Sequence, residues 1–147
     1  MYMRIFFLIA VAGCLSFTEW HYNIDEAKIL AKKEHRLILL NFSGSDWCGP
    51  CNRMRTEIFE SDLFQQFSAN NLILLNADFP RMKKNQLSPA QQKINNALAD
   101  KYNNKGLFPL TLLLDADGKV LQQWDGFPKM KTEEFIEQIR TFTEAAK

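Results

Sequence analysis

The stretch Arg36–Cys51, RLILLNFSGSDWCGPC, carries more information than any other part of the chain. Its first half, Arg36–Phe42, is a compact apolar run of the kind expected of a strand buried on both faces. A short loop, Ser43-Gly44-Ser45-Asp46, interrupts the run and leads into Trp47-Cys48-Gly49-Pro50-Cys51. Beyond that, Met54, Ile58 and Phe59 recur at helical spacing. The cysteine pair is therefore expected on the first turn of a helix that follows a buried strand.

Working outward, Asn23-Ile24-Asp25-Glu26 offers an N-cap with an acid three residues later, opening a short helix to about His35. Ser61-Asp62 looks like a second cap, starting a helix through Leu63, Phe64 and Phe67. Leu72–Ala77 reads as another buried strand, and Arg81–Leu87 as a polar loop. Ser88-Pro89-Ala90-Gln91 combines a capping box with proline at the first helical position, so a helix is expected to about Tyr102. Leu110–Leu114 is a third strand, Asp115–Gly118 a turn, and Lys119–Trp124 a hairpin partner. Thr132 caps a last helix whose Phe135, Ile136, Ile139 and Phe142 share a face. Strands separated by helices imply parallel crossovers, while the closing pair is antiparallel. The fold class is α/β, a central mixed β-sheet flanked by helices.

Composition narrows the function. The 147 residues, 46% of them hydrophobic, suit one domain with a real core. Eighteen Lys and Arg against 17 Asp and Glu leave no cationic surplus for nucleic acid. Twelve Phe and three Trp demand burial and exclude a disordered chain. No apolar run reaches the ~18 residues of an ordinary membrane span.

Residues 1–18 form a leader by this reading, and 19–147 the domain. Arg4 precedes the apolar run Ile5–Ala12, which ends in small residues: the layout of a secretory signal. Two processing sites compete. Ala10-Val11-Ala12 fits a general signal peptidase, whereas Val11-Ala12-Gly13-Cys14 resembles a bacterial lipobox with Cys14 as the lipidated residue. The alternative is a buried N-terminal strand with Cys14 as a core thiol. Membrane association is expected only through this leader or a lipid anchor, and the location is the periplasm or cell envelope.

The spacing of Cys48 and Cys51 is chemical. A helix N-terminus presents unpaired amide hydrogens and partial positive charge, and both favour a thiolate. The thiolate is the attacking species. Cys51, about one turn on, lies on the same face and close enough for an intramolecular disulfide. Cys48 can thus attack a substrate disulfide and Cys51 resolve the mixed disulfide, or the pair can donate its own bond. A zinc site needs about four ligands, and His21, His35 and Cys14 offer no second doublet. A purely structural bridge closing so small a loop stabilises little. Redox chemistry at the pair is favoured, with no metal and no cofactor expected.

Trp47-Cys48-Gly49-Pro50-Cys51 after an apolar strand resembles the active-site motif of the thioredoxin superfamily. Support comes from Leu72–Asp78 as the next strand, from Phe108-Pro109 where the family places a cis-proline, from Asp117-Gly118-Lys119 in the hairpin, and from Gly126. The resemblance covers most of residues 22–145. With a helix-rich insert near 79–100 and the leader, the chain looks more like exported thioredoxin-like proteins of the Dsb group than like small cytosolic thioredoxins. It implies Cys48 as an exposed nucleophile, Cys51 as a more buried resolving thiol, and Pro109, if cis, lying against the pair while Phe108 presents backbone to substrate. Trp47, Gly49 and Pro50 complete the site.

Departures from the family pattern matter as well. Asn41 falls where the family keeps a buried Asp, and an amide cannot act as general base. Leu74 falls where the usual lysine partner stands, so the whole charge pair is replaced. Asp46 is a partial substitute, or a surface acid that raises the pKa of the thiolate beside it. Phe108 is larger than the usual residue before the proline. Gly-Pro between the cysteines resembles the reducing end of the family. The expected activity is reduction or isomerisation of protein disulfides outside the cytoplasm, with electrons from a membrane redox partner. A disulfide-donating oxidase shares every residue named, and a non-catalytic adaptor lipoprotein shares the fold.

Overall fold

In a computed structural model, which describes residues 18–145, the apolar run becomes β2 (Leu37–Ser43), the middle strand of a five-stranded sheet. Residues 1–17 of the expected leader, with Cys14, lie outside the described residues. In chain order the elements are β1 (Trp20–His21), α1 (Ile24–Glu34), β2, α2 (Gly49–Arg53), a π-helical segment (Met54–Phe59), α3 (Asp62–Asn71) and β3 (Leu72–Asp78). A 3-10 turn (Lys83–Asn85), α4 (Pro89–Tyr102), β4 (Leu110–Leu114), β5 (Val120–Asp125) and α5 (Thr132–Ala145) follow. The sheet order is β1-β3-β2-β4-β5. β1 and β2 run parallel to β3, while β4 is antiparallel to both β2 and β5. The expected mixed α/β sheet is what the chain forms.

Strand alternation divides the core between the sheet's two faces. Leu37 and Leu39 of β2, with Leu72 and Leu74 of β3, pack against Met54, Phe64 and Phe135 from the helices on one side. Ile38, Leu40 and Phe42, with Ile73 and Leu75, pack against Ala27, Ala31 and Leu98 on the other. β2 is buried on both faces because helices cover both, the condition under which a strand reads as a continuous apolar run.

The helix starts follow their caps. Asn23, Ser61 and Ser88 each accept a backbone N–H in the first turn of α1, α3 and α4. Three features differ from expectation. β1 is only two residues long and carries no alternation to read, so it went unpredicted. The helix after the cysteines widens into a π-helical segment, with the Glu60 N–H bonded to Arg55 O at 2.8 Å. The wider turn lets Met54, Ile58 and Phe59 all reach the core, which a regular helix does less well for residues five apart. The polar segment after β3 holds a 3-10 turn rather than only loop. Among the described residues, no helix is long and apolar enough to cross a membrane.

Candidate active site

The site is built on the loop between β2 and α2. Gly44 O accepts the N–H groups of Trp47 at 3.2 Å and Cys48 at 2.8 Å, folding the loop back on itself. A Cβ on Gly44 would come within 2.2 Å of the Trp47 indole, so the glycine lets the ring lie against the backbone. Cys48 then occupies the N-cap of α2 with extended backbone, and its Sγ accepts the Cys51 N–H at 3.2 Å. Pro50 sits in the first turn, where it removes no intrahelical donor. Cys48 and Cys51 are joined by a disulfide, with Cα atoms 5.2 Å apart.

Both cysteines are covered in this oxidised pair, Cys48 at 4% and Cys51 at 5% exposure. The expected contrast between an exposed Cys48 and a more buried Cys51 is absent in this oxidised pair, where both are buried. Beside them the Phe108–Pro109 peptide is cis, and Pro109 O accepts the Gly126 N–H at 2.8 Å. A groove of about 800 Å³ opens here, lined by Pro50, Arg53, Phe108, Gly126, Phe127 and Met130 among others. The Arg53 guanidinium lies 4.3 Å over the Phe127 ring. Gly49 faces open space.

Trp47 is held from several directions. Its indole N–H donates to Phe79 O at 2.8 Å, its ring meets Phe108 edge-on at 5.3 Å, and the Arg81 guanidinium stacks 3.7 Å from it. Phe79 also contacts Phe108 edge-on at 5.6 Å. Asp46 ties down the same segment, accepting the N–H groups of Arg81 and Met82 at 2.9 Å and the Asn85 amide at 3.0 Å. The Arg81 amide first, then the Asn85 side chain, hold the Asp46 carboxyl below its usual range. Its hydrogen bonds all go to the insert, so the acid near Cys48 is a structural tie.

Beneath the cysteines, Asn41 is buried at 6% exposure. Its amide donates to Asn76 Oδ1 at 3.3 Å and its own Oδ1 accepts the Thr111 hydroxyl at 3.1 Å. The partner of Asn41 is therefore Asn76, directly opposite in register, and not Leu74, which pairs with Leu39. Asn76 and Leu74 share a sheet face, but Leu74 lies two positions earlier in the strand. Ser43 and Asp78 form the next pair on the same sheet face, two positions on. Sequence reasoning passed over Gly44, Asn76, Asp78 and Phe79, and read Arg81 only as part of a polar insert surface. The Ser-Gly-Ser loop and the Asp78-Phe79-Pro80 break were the available signals.

A mixed sheet between helix layers, with a bonded C-x-x-C pair at a helix start beside a cis-proline, defines a thioredoxin-like domain. The family model described as a thioredoxin-like domain matches residues 24–143, and the chain belongs to that family. Among relatives, it is 38% identical over 96 residues to the disulfide bond reductase DsbH of Chlamydia pneumoniae, covering 65% of this chain and 56% of that one. It is 29% identical over 108 residues to the thioredoxin-related protein DsbJ of the same organism, covering 74% of this chain and 30% of that one. The chain thus spans about half, or less, of the length of these relatives. A solved structure of a DsbH oxidoreductase superposes with a TM-score of 0.78 at 27% identity, covering 97% of this chain and 95% of that one.

Proposed function

We propose that this chain is a thiol-disulfide oxidoreductase that reduces or isomerises disulfides of protein substrates in the cell envelope. The observation that carries the reading is the Cys48–Cys51 pair at the start of α2, next to the groove that Pro50 and Phe108 line. The Cys51 N–H, 3.2 Å from Cys48 Sγ, is placed to stabilise negative charge on that sulfur once the bond is reduced. Cys48 attacks a substrate disulfide, and Cys51 then displaces the substrate from Cys48 as a thiolate. Trp47, Gly49, Pro50, Phe108 and Pro109 form the rim against which substrate backbone lies. A membrane redox partner returns two electrons to the pair for the next cycle. The reductase named among the relatives supports the reducing direction. Export by the leader, with or without a lipid on Cys14, accounts for the location.

Insulin reduction in the presence of dithiothreitol tests this reading. The wild-type chain is expected to accelerate precipitation of the insulin B chain, and Cys48→Ser to run at the uncatalysed rate. A wild-type chain no faster than dithiothreitol alone defeats the proposal. A reduction potential well to the oxidising side of thioredoxin would replace the reductase by a disulfide donor.

A further inference from the structure

Resting on that activity, Cys51 has to lose a proton before it can attack the bond between Cys48 and substrate, yet it is only 5% exposed. A second cavity, of about 460 Å³, meets Cys51 and shares no lining residue with the groove. Asn41, Ser43, Ser45 and Asn76 are among its polar lining residues, Asn41 buried and Ser45 toward solvent. Its volume holds a chain of waters, each of which takes roughly 30 Å³ in the liquid, and its walls supply their hydrogen-bond partners.

The amides of Asn41 and Asn76 cannot accept the proton, but the hydroxyls of Ser43 and Ser45 can pass one on. Both hydroxyls end on a single carboxylate. Ser43 Oγ lies 3.0 Å from Asp78 Oδ1 and 3.2 Å from Asn76 Oδ1, within reach of either. Ser45 donates to Asp78 through its N–H at 2.9 Å and through its hydroxyl. Asp78 is partly buried at the end of β3, its own carbonyl accepts the Asn95 amide, and no Lys or Arg of the described residues pairs with it. Asp78 itself does not line the cavity; the ionisable side chains that do, besides Cys51, are Tyr22, Arg55 and Glu60, all exposed, and Arg55 and Glu60 form an ion pair. Asp46, in the same loop as Ser45, is occupied by Arg81, Met82 and Asn85.

We propose that Asp78 takes the Cys51 proton through Ser43, Ser45 and the cavity water, in place of a carboxylate at position 41. The Cys51 S–H proton moves along the hydroxyls to an Asp78 oxygen. The Cys51 sulfur attacks Cys48 Sγ, the Cys48–substrate S–S bond breaks, and its electron pair leaves on the substrate sulfur, which takes a proton from solvent. The cysteine pair is oxidised by two electrons and the substrate disulfide is reduced. Asp78 acts only through these hydroxyls and is a positioning residue for the resolving step.

The test follows oxidation of the reduced full-length chain by a disulfide peptide in stopped flow across pH, separating attack by Cys48 from resolution by Cys51. For Asp78→Asn, resolution is expected to slow about tenfold near neutral pH and to converge on wild type in alkali, where hydroxide removes the proton directly. Asp78→Glu restores the rate. The double variant Ser43→Ala/Ser45→Ala, which keeps the carboxylate but removes both hydroxyls of the relay, shows the same loss, and Glu60→Gln follows wild type. The proposal is overturned if Asp78→Asn matches wild type at every pH, if it is slowed equally at every pH with no recovery by Asp78→Glu, or if Glu60→Gln shows the pH-dependent loss instead. A wild-type chain that never forms the mixed disulfide defeats the underlying activity rather than the relay.

Discussion

At the scale of single residues, Gly44 and Trp47 act as a pair. The indole occupies the space that any side chain at position 44 would need, with contacts as short as 2.2 Å to a hypothetical Cβ. Those contacts are ring and not a flexible chain end, so relief requires moving Trp47 away from Phe79 O and Phe108. Gly44→Ala is expected to cost about 1–3 kcal/mol through overpacking. It is also expected to shift the Trp47 emission and to lower insulin reduction more than the stability loss alone explains. A variant with wild-type emission and activity would show that the ring position does not matter. The Asn41–Asn76–Thr111 chain is the other residue-scale feature: an amide in a buried strand is tolerated because each of its polar atoms has a partner.

Among elements, the segment after β3 is the one whose placement depends on distant residues. Lys83–Asn85 makes only a single 3-10 turn, and Arg81, Met82 and Lys84 are exposed, so little apolar burial holds the segment down. Its ties to the β2–α2 loop are the Asp46 carboxylate and the Trp47 ring. Because the Asp46 pKa is lowered in the folded chain, its contribution is present above the unfolded pKa and is lost as pH falls through the lowered value. Amide exchange at Arg81 and Met82, corrected for intrinsic rate, is therefore expected to quicken on acidification below the ordinary carboxylate range. Asp46→Asn should show fast exchange at neutral pH with no such step. Exchange in wild type that is flat across this acidic range would mean the carboxylate does not hold the insert.

For the whole molecule, the arrangement that matters is a sheet covered on both faces. The π-helical segment, α3 and α5 lie on the face that carries Leu39 and Leu74, and α1 and α4 on the face that carries Leu40 and Leu75. The loop leaving β2 therefore emerges at a sheet end, where the site, its groove and the polar cavity can all reach solvent. Near-neutral net charge, +1 over the whole chain, fits the proposed activity on varied proteins without strong electrostatic selection. The leader proposed for residues 1–18 belongs to this scale too. Metabolic lipid labelling is expected to mark the wild-type chain and not Cys14→Ser. No label in either leaves a chain without the lipid anchor.

The local signals in this chain are strong, and they determined the class of fold. Capping residues, apolar runs and the Trp47–Cys51 motif are read over a few positions, and each acts through its immediate neighbours. That is why the helix starts, β2 to β5 and the redox pair were all legible. Tertiary structure alone decided that Asn76 rather than Leu74 faces Asn41, that Asp46 binds the insert, and that Asp78 closes on Ser43 and Ser45. These contacts join residues about 35 positions apart, and a register of two residues more or less changes every one of them. The pair of cysteines was written in the chain; what surrounds Cys51 was settled by the pairing of β2 with β3.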